Sequence, residues 1–147
     1  MDVVLADSSQ NRLPPSHTRL CVAHVLNGIA HMHSLSLYHG DLKPANVLMQ
    51  SGEEPHFVVT DLGSIAEVGR GVIRIASITT TLWYQSPEIL DGQRSAVGDH
   101  WLRADVWALG ITMTQVCGLE FFKVDPKKKN AAKMLREAIL ACSRGRT

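Results

Sequence analysis

The chain has 147 residues, of which 45% are hydrophobic and 20% charged, with a formal net charge of +1. This is the balance of a globular domain and gives no expectation of disorder or of a nucleic-acid partner, and no run of about eighteen apolar residues suggests a membrane partner. The three cysteines, Cys21, Cys117 and Cys142, lie far apart with no metal-ligand spacing. They are expected to be small apolar core residues in a reducing compartment, cytoplasmic or nuclear.

Residues 7–16 are polar and hold two prolines, so a loop is expected there, with Ser16 as the cap of a following helix. From His17 to Leu35, Val22, Val25, Leu26, Ile29 and Met32 recur at helical spacing and predict one buried stripe. Two short apolar runs follow, Val47 to Met49 and Phe57 to Thr60, separated by the turn-rich residues 50–55. They predict a hairpin with Asp61 at the end of its second strand. Residues 64–81 carry glycine, serine and threonine without a firm period and are expected to form a loop. Val106, Leu109, Met113 and Val116 predict a second helix. A last amphipathic helix is predicted from Asn130, its cap, to Cys142, with Ala131, Met134, Leu135, Ala138 and Ile139 on one face.

The chemistry concentrates between the first helix and the hairpin. The run His39-Gly40-Asp41-Leu42-Lys43-Pro44-Ala45-Asn46 is followed, twenty residues after Asp41, by Asp61-Leu62-Gly63. A carboxylate and an amide five residues apart, with a second carboxylate beyond, supply what phosphoryl transfer from ATP requires: a base for a hydroxyl and hard oxygen ligands for magnesium. Taken singly, each residue has a plainer reading. Asp41 and Asn46 are also turn formers, Lys43 is also a solvated cation, and Leu48 is also a core leucine. His39 has no serine or cysteine nucleophile constellation beside it, and the other six histidines show no consistent metal-ligand partners.

This run resembles the catalytic and metal-binding loops of eukaryotic Ser/Thr protein kinases. Thr81-Leu82-Trp83-Tyr84-Gln85-Ser86-Pro87-Glu88-Ile89-Leu90 is similar to the end of the activation segment in cyclin-dependent-kinase relatives, and Asp105-Val106-Trp107-Ala108-Leu109-Gly110 resembles the start of the central helix of the large lobe. The resemblance implies an α+β, protein-kinase-like fold with a mostly helical C-terminal lobe and short hairpins. It makes residues 1–147 a partial kinase domain, its N-terminal lobe absent, because no Gly-x-Gly-x-x-Gly and no Val-Ala-Ile-Lys strand precedes the catalytic loop. A truncated reading of a longer chain, inactive alone, is the expectation.

By the same resemblance Asp41 is the catalytic base and Lys43 neutralises the transferring γ-phosphoryl. Asn46 and Asp61 hold Mg2+, Leu48 packs beneath adenine, and Thr81 bridges Asp41 and Lys43. The implied partners are ATP, a protein substrate and a regulatory protein. His39 becomes a structural histidine packed on Leu62 and bonded to backbone. Three departures stand out. Gly40 occupies the place of an arginine that would grip a loop phosphate, Leu62 that of a phenylalanine, and Glu88 has no evident arginine partner, because Arg144 and Arg146 come early. Gly40 leaves Arg70 and Arg74 as the loop's arginines and predicts that a full-length form is active without phosphorylation of Ser77, Thr79 or Thr80, or is switched by a partner instead. A non-catalytic interaction module on the same fold is the alternative.

Overall fold

A computed structural model describes residues 2–3, 13–50, 52–68, 81–91, 100–119, 122, 124–125 and 127–144. The elements run β1 (Asp2–Val3), α1 (Pro15–Ser34), β2 (Leu37–Tyr38), β3 (Val47–Gln50), β4 (His56–Val59), β5 (Ala66–Glu67), α2 (Pro87–Leu90), α3 (His100–Val116) and α4 (Ala131–Arg144). Helices dominate and the strands pair antiparallel in two small sheets, ordered β1-β3-β4 and β2-β5. The α+β class expected from sequence is what the chain adopts.

The first helix starts earlier than its serine suggested. Pro14 takes the N-cap place and Pro15 the first helical position, where a residue without N–H loses nothing. Ser16 lies inside the first turn. Thr18 supplies the polar contact there, its hydroxyl donating to the carbonyls of Leu13 and Pro14 at 3.2 and 3.0 Å. The buried stripe of α1 is Cys21, Val25 and Ile29, with Met32 packed against it, whereas Leu26 is exposed. Cys21 thus belongs to the core, while Cys117 and Cys142 are exposed, contrary to the expectation for all three.

The hairpin forms as predicted, with Val47 opposite Val59 and Met49 opposite Phe57. Alternation sends Val47 and Met49 into the core with α1, and Leu48 to the other face. Two pairings were not legible in the sequence. Asp2–Val3 pairs with Met49 and Leu48, and Leu37–Tyr38 pairs with Glu67 and Ala66. Two-residue strands carry no periodicity, so only the folded chain creates them.

Helix α3 buries Trp101, Asp105, Ala108, Leu109, Ile111, Thr112 and Val116, and Met113 packs at the core's edge. Val106 is 57% exposed, so the buried stripe is turned from the one the apolar residues alone suggested. Helix α4 buries Ala131, Leu135 and Ile139 as expected. The Asn130 carbonyl accepts from the Met134 N–H at 3.0 Å, which starts the helix there. These residues form a second core with Leu82, Trp83, Leu90 and Trp107, and Arg136 pairs with Asp91 just past α2. The segment after Thr81 is therefore held between α3 and α4. No helix among the described residues is long and apolar enough to cross a membrane.

Burial pushes the Cys21 thiol from its ordinary 9.0 up to about 12, with the nearby Cys117 adding to the shift. The Tyr38 phenol rises from 10.0 to about 12, through desolvation first and the charge of Asp105 second. Both folded values lie above the unfolded ones, so the stability they contribute is fully present below about pH 9 and is lost as pH rises toward 12. The unfolding midpoint is expected to be flat near neutrality and to fall from about pH 9 upward. A thiol reagent at pH 8 should label Cys117 and Cys142 in the native chain and reach Cys21 only after denaturation. Rapid native labelling of all three would refute this.

Candidate active site

The site is built on the stretch that leaves β2 and enters β3. His39 is fully buried and its ring is committed to backbone: Nε2–H donates to the Thr60 carbonyl at 3.0 Å, and Nδ1 accepts from the Asp41 N–H at 3.2 Å. One donor and one acceptor fix a neutral tautomer, and the ring orients the loop. Leu62, expected to pack on this ring, is 54% exposed.

Asp41 is buried, with both carboxylate oxygens engaged. Lys43 Nζ donates to Oδ2 at 2.5 Å, and Asn46 Nδ2 reaches the same oxygen at 3.3 Å. Oδ1 accepts from the Thr81 N–H and hydroxyl, each at 3.1 Å. Lys43 Nζ also donates to Thr81 Oγ1 at 3.0 Å, so the hydroxyl bridges acid and amine. The local reason is the turn Pro44–Asn46: Pro44 presets φ, and the Asn46 N–H donates back to the Lys43 carbonyl at 2.9 Å. That turn folds Asn46 back beneath Asp41, where its Nδ2 also donates to the Asp41 carbonyl at 2.8 Å.

Asp61 follows β4 in the left-handed region, φ 63°, and is exposed. The Thr60 N–H donates to the Asn46 carbonyl at 2.9 Å, tying the Asp61 turn to the Asn46 turn. Among the described residues, no hydrogen bond or ion pair occupies the Asp61 carboxylate. With Nδ2 of Asn46 committed to Asp41, its amide oxygen is the group left to serve as a ligand. A neutral oxygen and a free carboxylate suit a hard cation that keeps most of its shell from water and phosphate, so the donor set fits magnesium. No group of three or more His, Cys, Asp or Glu among the described residues is arranged to cage a metal.

Nothing in the apolar pattern marks Asp105, yet it organises the loop from α3. Its Oδ2 accepts from the His39 N–H at 2.7 Å and from His33 Nε2 at 3.0 Å, and its Oδ1 accepts from the Gly40 N–H at 3.0 Å. At 2% exposed, this carboxylate replaces water for three donors. His33 thus has a defined partner, which its sequence context did not suggest. Gly40 has φ +80°, a conformation glycine adopts freely.

Arg70, Arg74, Ser77, Thr79 and Thr80 lie outside the described residues. Among the described residues, no ion pair reaches Glu88.

The geometry of Asp41, Lys43, Asn46 and Thr81 has a counterpart in sequence comparison, since the protein kinase domain model matches residues 2–145. This chain belongs to the protein kinase family. It is 37% identical over 91 residues to cyclin-dependent kinase 11.1 of Caenorhabditis elegans, covering 62% of this chain and 12% of that protein. It is 29% identical over 132 residues to the serine/threonine-protein kinase srb10 of Schizosaccharomyces pombe, covering 87% of this chain and 34% of the relative. Similarity to cyclin-dependent kinase E-1 of Arabidopsis thaliana is 32% over 102 residues, 65% of this chain and 20% of that protein. The kinase-domain residues here thus span about a third or less of these relatives.

Proposed function

We propose that the chain is the C-terminal-lobe part of a Ser/Thr protein kinase domain that transfers the ATP γ-phosphoryl to a protein hydroxyl. The observation that carries this is the bridged Asp41 carboxylate, held by Lys43, Asn46 and Thr81 with distances of 2.5–3.3 Å. In the proposed reaction the substrate hydroxyl oxygen forms a bond to the γ-phosphorus while the bond to the β–γ bridging oxygen breaks and ADP leaves. Asp41 orients the hydroxyl and takes its proton. Lys43 offsets the charge on the transferring group. Thr81 keeps acid and amine in register, an arrangement that the resemblance associates with serine and threonine substrates. Asn46 and Asp61 would hold magnesium, which supplies charge neutralisation on the phosphates. Leu48, on the face of β3 turned away from the core, would take the adenine.

The relatives named cyclin-dependent support a regulatory protein partner, and a cytoplasmic or nuclear location goes with that reading. These 147 residues include no glycine-rich phosphate loop, so the isolated chain is proposed to transfer phosphate too slowly to detect.

The test is a chimera joining this chain to the nucleotide-binding lobe of a cyclin-dependent relative. Phosphorylation of a generic protein substrate is expected, with Asp41→Asn lowering kcat by about 10²–10⁴-fold. A chimera that binds nucleotide yet transfers nothing would favour the non-catalytic module instead.

A further inference from the structure

Tyr38 ends β2 immediately before the catalytic run. It is 1% exposed, and its ring stacks on Trp101 with centroids 5.3 Å apart and 28° between planes. Trp101 is itself buried and lies one helical turn before Asp105, on the same face of α3. The face that holds the N–H groups of His39 and Gly40 therefore also offers a flat apolar platform to the residue preceding them.

The other edge of the ring meets Gly40. A Cβ at that position would lie 2.8 Å from Tyr38 Cε2 and 2.9 Å from the Ser64 carbonyl oxygen, which the β2–β5 pairing brings alongside. The ring cannot swing aside cheaply, because it is buried and stacked. Among the described residues its hydroxyl has no hydrogen-bond partner, so the ring rather than the oxygen does the packing. Beside the ring lies a small cavity whose wall includes Tyr38, Gly40 and Trp101 together with Tyr84, Gln85 and Ile89.

Building on the assignment of Asp41 as the base, we propose that Tyr38 and Trp101 are positioning residues that clamp the catalytic loop by packing. The stack fixes the backbone at Gly40, and through it Asp41, by filling the space that a side chain at position 40 would take. A clamp made of apolar surface needs no charge and is insensitive to ionic strength, unlike an exposed ion pair.

Amide hydrogen exchange on the 147-residue chain reads the clamp without requiring catalysis. Tyr38→Phe should leave exchange at His39, Gly40 and Asp41 unchanged in low and high salt. Tyr38→Val should speed exchange at those three amides by about tenfold or more relative to Leu48 and Val58 in the hairpin. If Tyr38→Val is too unstable to study, Trp101→Phe should give the same selective pattern more weakly. Gly40→Ala should lower the unfolding midpoint, and lower it less in the Tyr38→Val background, because the contact with Cε2 is gone. Uniform acceleration of all amides, a Tyr38→Phe variant that behaves like Tyr38→Val, or equal Gly40→Ala shifts in both backgrounds would each overturn the clamp. Failure of the chimera's Asp41-dependent transfer with this selective exchange intact would overturn the catalytic role of Asp41 alone.

Discussion

Asp105→Ala is expected to destabilise the chain by about 3–5 kcal/mol, because it leaves the His39 and Gly40 N–H groups and His33 Nε2 without their acceptor. An unsatisfied buried donor costs about 1–3 kcal/mol, and a domain this size has roughly 5–15 kcal/mol in total. Asp105→Asn should fall between, since it keeps the shape and one acceptor oxygen but turns an NH2 toward backbone donors. Urea unfolding followed by circular dichroism gives both values. A wild-type midpoint for Asp105→Asn would mean that charge and the second acceptor contribute nothing, and the account of the loop's anchoring would fail.

In the chimera, Asp61→Ala is expected to lower phosphotransfer by about three orders of magnitude, roughly 4 kcal/mol of barrier, with a raised magnesium requirement. A methyl group offers no oxygen, and the other proposed ligand, Asn46, carries no charge. Asn46→Ala should cost less through the metal, because water replaces a neutral oxygen. It carries a second penalty, though, since it removes the hydrogen bonds from Nδ2 to the Asp41 carbonyl and carboxylate. Raising magnesium should therefore restore Asn46→Ala only in part. Activity assays across a magnesium series separate the two effects. Wild-type rates for both variants at low magnesium would remove these residues from the metal site.

The candidate site was readable because its chemistry is local. Asp41, Lys43 and Asn46 fall within six residues, and a proline turn suffices to fold them onto one another. The hairpin that delivers Asp61 is likewise written in two apolar runs and a turn, and α4 in a clean apolar face. These features depend on neighbours in sequence, where side-chain period and turn chemistry act directly.

What only the tertiary structure decided depends on distant partners. Asp105 is buried because donors 65, 66 and 72 residues away converge on it, and a hydrophobic pattern assigns a carboxylate to solvent by default. The same convergence rotates α3 so that Val106 faces outward, overriding its apolar side chain. The two-residue strands exist only as pairings, and Leu62 is exposed although its type suggested packing. Gly40 is the sharpest case. In sequence it reads as a lost arginine, while in the fold it is the residue whose positive φ and small size let Tyr38, Ser64 and Asp105 close around the loop. Composition and order determined which groups could do chemistry. Long-range burial decided which backbone donors would be left without water, and so which side chains had to hold them.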